Sequence, residues 1–91
     1  MALPGCVAAP TPYEEYNLAR TAVRAAQEVD SSRYAPGLWN RADENLRAGE
    51  SALKDNDFAR ARQHFLTATQ FAEKAENATR LKKFQTGDSF P

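Results

Sequence analysis

The chain has 91 residues, which is room for one domain and too little interior for a large enclosed active site. Its 12 Lys and Arg residues balance its 12 Asp and Glu residues, so no net charge draws it toward nucleic acid. A single cysteine excludes an intramolecular disulfide, and no apolar run approaches the roughly 20 residues that span a bilayer. Abundant Ala, Leu, Glu and Arg, with few β-branched residues, favour an all-α fold.

Residues 1–10, MALPGCVAAP, predict a flexible leader because two prolines and a glycine interrupt small side chains. The first helix is expected over about residues 12–30. Its start is indicated by a capping box, with Thr11 as the N-cap, Pro12 at the first helical position and Glu14 at the third. Two adjoining apolar stripes cover about half of its circumference, so we expect it to contact more than one neighbour.

The second helix is expected over about 36–54. Pro36 disfavours a helical conformation at Ala35, so the chain should turn before it. Acid-before-base pairs four residues apart are predicted on its solvent side at 43/47 and 50/54. Its apolar seam comprises Trp39, Ala42, Leu46, Gly49 and Leu53.

The third helix is expected over about 57–83, after a polar turn in which Asn56 or Asp57 caps it. Residues 85–91 are predicted to be a short disordered tail, which gives a domain of residues 11–84. Short connections favour antiparallel neighbours, so the sequence predicts an up-down-up three-helix bundle. The most regular seam of the chain lies on this helix and comprises Phe58, Ala61, Phe65, Ala68, Ala72 and Ala75.

An alanine-rich seam buries little apolar area, so we predict self-association or stabilisation by a protein partner. Phe71 lies at the edge of the third seam, and Ala78 and His64 fall on the same flank. These three residues form a candidate contact patch for a partner. The alternative is that Phe71 merely covers the edge of the bundle.

The sequence offers little reactive chemistry. His64 is the only histidine, and without further ligands at suitable spacing it predicts no metal site. No nucleophile elbow and no glycine-rich phosphate loop occurs, so we expect no enzyme activity, no catalytic residue, no cofactor and no small-molecule substrate. Arg80, Lys82 and Lys83 are interpreted as residues that complement the end of the third helix rather than as a binding site.

The string Leu3-Pro4-Gly5-Cys6 resembles a bacterial lipobox, in which the cysteine becomes the lipid-bearing N-terminus. It departs from that pattern at Pro4, and only five residues precede Cys6 where an apolar stretch of about 7 to 15 is usual. The resemblance implies lipidation of Cys6 and, with Val7 after it, the periplasmic face of the outer membrane. The alternative is an ordinary exposed cysteine.

Two longer resemblances concern the helices. Residues 42–75 resemble one tetratricopeptide unit, because Gly49, Ala61, Phe65 and Ala68 fall at its small, small, aromatic and small positions. Residues 16–78 resemble an uncharacterised family of alanine-rich bacterial envelope lipoproteins. That resemblance is carried by an alanine-rich first helix (18–26), the turn Tyr34-Ala35-Pro36 and a helix pair (39–75) joined by Asp55-Asn56-Asp57. Such proteins often accompany OmpA-like peptidoglycan-binding proteins.

These observations favour a non-catalytic scaffold or adaptor of the bacterial cell envelope, tethered through Cys6 and binding another envelope protein. The alternative is a cytoplasmic tetratricopeptide-like module that binds peptide segments.

Overall fold

The computed structural model describes residues 10–87, and within that range the chain is helical without any strand. Four helices follow one another: α1 (Tyr13–Glu28), α2 (Ser31–Tyr34), α3 (Pro36–Lys54) and α4 (Phe58–Thr86). The predicted all-α class is confirmed. The predicted number of helices is wrong by one, because residues 31–34 form a separate helical turn where only a loop was expected.

The start of α1 differs from the predicted capping box. Pro12 occupies the N-cap position, and no side chain caps the helix. The backbone carbonyl of Thr11 instead accepts a hydrogen bond from the Tyr13 N–H at 2.9 Å. The helix therefore begins one residue later than expected, and it ends at Glu28 instead of about residue 30.

The connection from α1 to α3 turns twice. Asp30 adopts the left-handed conformation with φ of 68°, which short polar side chains tolerate better than most. After α2, Ala35 takes a non-helical conformation with φ of −139°, as expected for the residue before a proline. Pro36 then opens α3, where its missing N–H costs no hydrogen bond.

The turn from α3 to α4 follows the predicted polar chemistry. Asn56 is left-handed with φ of 59°, and an Asp57 carboxylate oxygen accepts from the Arg60 N–H at 3.4 Å, as a cap does. At the other end, α4 continues to Thr86, so Gln85 and Thr86 are helical and the expected end near Lys83 is wrong. No proline or glycine interrupts α4 before Gly87. Gly87 adopts the left-handed conformation with φ of 84°, which is common in the residue that ends a helix. Residues 88–91 of the expected tail, and residues 1–9 of the expected leader, lie outside the described range.

Side-chain pairs give the directions of the long helices. Glu15 on α1 binds Arg62 near the start of α4, while Ser31 binds Thr79 near its end, so α1 and α4 run the same way. His64 near the start of α4 contacts Asn45 in the second half of α3. Ala42, earlier on α3, packs with Ala72 and Ala75, so α3 runs against the other two helices.

The core contains two layers, both built largely from alanine. The Phe65 layer comprises Ala19, Ala52, Ala61, Phe65 and Ala68, with Tyr16, Leu46 and Leu53 packed against it. The alanine layer comprises Val23, Ala26, Ala35, Ala42, Ala72 and Ala75, with Trp39, Phe71 and Ala78 among the partly buried residues at its edge. Phe65 is the only large apolar side chain that is fully buried among residues 10–87. Most of the core thus comes from the predicted seams, although Leu18, in the second apolar stripe of α1, is 58% exposed and Phe58 is only partly buried. The predicted scarcity of large core residues is confirmed.

Candidate functional site

The three residues of the predicted contact patch lie on one flank of α4. His64, Phe71 and Ala78 follow one another at intervals of seven residues, which is close to two helical turns. All three are partly buried, and we call them the Phe71 flank. The flank faces α3, because His64 contacts Asn45 and Phe71 contacts Arg41, both on that helix.

Two cationic side chains lie close to the Phe71 ring. The Arg41 guanidinium carbon and the Lys74 Nζ each lie 5.6 Å from the centroid of the Phe71 ring. A cation at this distance from an aromatic face is attracted by the ring quadrupole, by about 0.5–1 kcal/mol at exposed sites. Within residues 10–87 neither cation has a carboxylate at salt-bridge distance. The flank therefore combines a partly buried aromatic ring with two positive charges that face solvent.

His64 has a structural partner. Its Nδ1 lies 3.1 Å from the Asn45 amide oxygen, so a protonated Nδ1 can donate to that oxygen. Asn45 is held in turn, because its Nδ2 donates to the Arg41 carbonyl at 2.8 Å. Beside His64 a depression of about 280 Å³ lies between α3 and α4, and its lining residues are Ala48, Ser51, Ala52, Asp55, Arg60 and His64.

The basic residues near the end of α4 do more than complement their own helix. Arg80 pairs with Glu76 at 2.8 Å, one turn earlier. Lys82 donates to the Tyr34 carbonyl at 2.5 Å, and the Lys83 Nζ lies 5.4 Å from the centroid of the Tyr34 ring. Two of the three cations therefore attach α4 to α2, a contact that the sequence pattern did not predict.

Glu50 also has an unexpected partner. The Tyr16 hydroxyl donates to its carboxylate at 2.8 Å, where a pair with Lys54 was predicted. That hydrogen bond, and then burial and the nearby negative charge, raise the pKa of Tyr16 above its usual value, while Arg20 opposes the shift. The other predicted pair on α3 is present, with Arg47 3.1 Å from Asp43.

The family assignment rests on the helical region as a whole. A family model described as Domain of unknown function (DUF4398) matches residues 14–86, which include α1 to α4 almost completely. The chain belongs to this family. Membership of an uncharacterised family agrees with the second resemblance, whereas the lipoprotein and tetratricopeptide assignments stay predictions. Comparison with curated proteins and with solved structures gave no match.

Three further points about the DUF4398 domain concern metal ligands, membrane-spanning helices and the predicted lipidation site. Among residues 10–87, no three His, Cys, Asp or Glu side chains are grouped as metal ligands would be. None of the helices in that range is long and apolar enough to cross a membrane. Cys6, the predicted lipidation site, lies outside the described residues.

Sequence reasoning found the Phe71 flank but missed its charged neighbours. The position of Lys74 beside Phe71 could have been predicted from the sequence, since residues three apart on a helix are neighbours. Arg41 was not, because its position beside Phe71 depends on how α3 and α4 are aligned. The same holds for Asn45 beside His64.

Proposed function

We propose that the DUF4398 domain is a non-catalytic scaffold or adaptor of the bacterial cell envelope, anchored by a lipid on Cys6. In this proposal the three long helices form the up-down-up scaffold and α2 is a connector. The domain binds an acidic surface of another envelope protein through the Phe71 flank. The observation that supports this most is the partly exposed Phe71 ring with Arg41 and Lys74 beside it.

The chemistry of the flank supports a partner with an acidic surface. Aromatic and arginine side chains dominate the energetics of protein interfaces, because a ring contributes a large apolar area and a guanidinium forms directed hydrogen bonds. Binding would cover the exposed part of Phe71 and bring carboxylates to Arg41 and Lys74. A neutral apolar partner would leave both cations without a counterion. We therefore expect Asp or Glu residues around an apolar contact on the partner.

Site-specific photocrosslinking in intact bacteria tests this surface. Benzoylphenylalanine replaces Phe71 in the full-length protein, and the matched control carries it at Asn77. Asn77 is exposed on α4, and because it lies six residues further along it points about 120° away from Phe71 around the helix axis. We expect one dominant adduct from position 71, with an acidic segment at the crosslink, and none from position 77. The double change Arg41→Glu and Lys74→Glu should reduce its yield at least about tenfold, as expected for losing interface charges. Equal adducts at both positions, or a yield unaffected by charge reversal, would contradict the proposal.

The lipid anchor is tested separately. The gene, expressed with its native upstream region in a bacterial host, should yield a membrane-bound protein whose Cys6 carries a lipid by mass spectrometry. Cys6→Ser should release the protein from the membrane fraction without changing its helical circular dichroism. A wild-type protein in the soluble cytoplasmic fraction with an unmodified thiol would rule out the anchor.

That fractionation also tests the alternative, a cytoplasmic tetratricopeptide-like module. The α3–α4 helix pair, antiparallel and joined by residues 55–57, is the feature that favours this alternative. A cytoplasmic protein without an upstream signal sequence would support it.

A further inference from the structure

The depression beside His64 lies where α3 ends and α4 begins, and it has a volume of about 280 Å³. Two polar side chains from each helix line it. Ser51 and Asp55 are one turn apart at the end of α3, and Arg60 and His64 are one turn apart near the start of α4. The depression therefore has a polar wall on each of two antiparallel helices.

Three of these four side chains have no partner within the described part of the chain. Among residues 10–87, the Ser51 hydroxyl, the Asp55 carboxylate and the Arg60 guanidinium form no hydrogen bond and no ion pair with another residue. Asp55 and Arg60 carry opposite charges, yet they form no salt bridge with each other. The nearby charged residues Lys54 and Asp57 do not line the depression. A cation and an anion thus border the same small space, and neither is neutralised by a direct contact.

His64 adds a hydrogen-bond acceptor. The Asn45 Nδ2 donates to the Arg41 carbonyl, which leaves the Asn45 amide oxygen 3.1 Å from the His64 Nδ1. Nδ1 must then carry the hydrogen, since an amide oxygen can only accept. In the neutral imidazole the second ring nitrogen, Nε2, consequently keeps its lone pair. His64 therefore offers an acceptor in addition to the carboxylate of Asp55.

We propose that this depression binds a small zwitterion of the α-amino-acid type, in which one carbon carries both an ammonium and a carboxylate group. The Arg60 guanidinium and the Ser51 hydroxyl donate to the carboxylate of the ligand. The ammonium group of the ligand donates to the Asp55 carboxylate and to Nε2 of His64. Each charge of the ligand thus meets one charged and one neutral group of the protein.

Charge and size both favour such a ligand. A simple anion would be attracted by Arg60 but repelled by Asp55, and a simple cation would meet the reverse combination. A zwitterion is attracted by both. The volume is just below the roughly 300–1,000 Å³ of most ligand sites, so the ligand must be small. Ala48 and Ala52 complete the lining and supply apolar surface for a short side chain.

This inference does not depend on the lipid anchor or on the acidic partner of the Phe71 flank. No small-molecule ligand was predicted from the sequence, because Ser51 and Asp55 approach Arg60 and His64 only through the alignment of α3 with α4.

Titrations followed by two-dimensional amide NMR spectra of the full chain locate and quantify the binding. Three probes of similar size separate the charges: alanine carries both, propionate only the carboxylate and ethylamine only the ammonium. Alanine should shift the amide resonances of residues 48–64 until they saturate, with a dissociation constant of about 1 mM, which so small a ligand can reach. Propionate and ethylamine should bind at least about tenfold more weakly, since each leaves one charge of the depression unpaired.

Two variants test the role of each charge. Asp55→Asn should weaken the binding of alanine at least about tenfold and leave that of propionate unchanged or tighter. Arg60→Gln should weaken alanine similarly and leave ethylamine unchanged or tighter. Both residues are exposed, so the fold should be unaffected, which circular dichroism checks. Lys54→Gln, an exposed position at the same end of the molecule, is the control and should bind alanine as the wild type does.

Three results would overturn the inference. The first is the absence of a saturable shift with alanine of either configuration up to about 50 mM. The second is propionate or ethylamine binding as tightly as alanine, which would indicate a site for a single charge. The third is a loss of alanine binding in Asp55→Asn and Arg60→Gln that is no greater than in Lys54→Gln.

Discussion

The two core layers achieve burial by different means. In the Phe65 layer one ring is completely buried, and it stacks on Tyr16 with the ring centroids 4.8 Å apart. In the alanine layer, small side chains let the helices approach closely, and a buried hydrogen bond between Ser31 and Thr79 at 2.8 Å lies beside it. The first layer fills its volume with an aromatic ring, whereas the second has little volume to fill.

This difference predicts which changes each layer tolerates. A ring can be buried in the first layer only because Gly49 has no side chain. A Cβ at that position would lie 2.6 Å from Phe65 Cδ1 and 3.0 Å from Cζ. The first layer should therefore respond mainly to changes of volume. The end of the second layer should respond mainly to the loss of a hydrogen-bonding partner.

Phe65→Ala should have the largest effect on the free energy of unfolding. Removing a fully buried ring leaves a cavity, and such changes typically cost about 3–5 kcal/mol. The matched change in the alanine layer, Val23→Ala, removes fewer buried atoms and should cost about half as much or less. Urea denaturation at 25 °C measures both. If Val23→Ala were as costly as Phe65→Ala, the proposed division between the layers would be wrong.

Gly49→Ala should destabilise the domain although alanine is the better helix former. Alanine gains up to about 1 kcal/mol in a helix interior, but overpacking against the Phe65 ring typically costs about 1–3 kcal/mol. We expect a net loss of about 1–2 kcal/mol, judged from these opposing contributions. Gly37→Ala on the same helix is the control, because no atom lies within 4 Å of its added Cβ, and it should be neutral or stabilising.

A double-mutant cycle identifies the cause of the Gly49 effect. In a Phe65→Leu background the ring is absent, so Gly49→Ala should cost much less than in the wild type. An unchanged cost in that background would show that the loss does not come from contact with the ring.

The buried hydroxyls of Ser31 and Thr79 should respond to the loss of a hydrogen-bonding partner rather than to a change of volume. Ser31→Ala or Thr79→Val alone leaves one buried hydroxyl without its partner, which typically costs about 1–3 kcal/mol. The double variant removes both hydroxyls, so neither is left buried without a partner, and it should cost less than the sum of the two single changes. Thermal and urea unfolding measure all three variants. Additive losses would indicate that the two hydroxyls do not interact.

Much of this architecture follows from local sequence rules. The apolar seams identified the buried faces of α3 and α4, since the spacing of alanine and phenylalanine directly reports the side that packs. On α1 only one of the two predicted stripes is buried, and Leu18 in the other is 58% exposed. The turns before α3 and α4 were predicted from Pro36, Asn56 and Asp57, because the conformational preferences of these residues are local. The prediction of a capping box at Thr11 was wrong for a related reason. A capping box is only a local preference, and the chain at Pro12 takes a different backbone path into the helix.

What the sequence did not predict depends on alignment between helices. Tyr16 beside Glu50 and Arg41 beside Phe71 each join helices whose relative shift is set by the whole core. No spacing rule within one helix contains that information. The short helix α2 was missed because four residues give too few positions for periodicity to show. The candidate site was therefore predicted as one flank of α4 and completed only by residues from α3.

Tyr16→Phe should have the smallest effect, because it preserves the ring that stacks on Phe65 and removes only the hydroxyl. Losing the hydrogen bond to Glu50 should cost about 1 kcal/mol at neutral pH. The raised pKa of Tyr16 also has a consequence at high pH. The folded state holds the phenol proton more tightly than the unfolded chain, so this contribution is complete below the usual tyrosine pKa of about 10. It is lost as the pH rises through the folded-state pKa. The stability difference between wild type and Tyr16→Phe, measured by urea unfolding from pH 8 to 11, should therefore shrink above about pH 10. Tyr13 and Tyr34 are present in both proteins, so their titration cancels in the difference. A difference that stayed constant over this range would show that the hydroxyl of Tyr16 does not stabilise the Phe65 layer through Glu50.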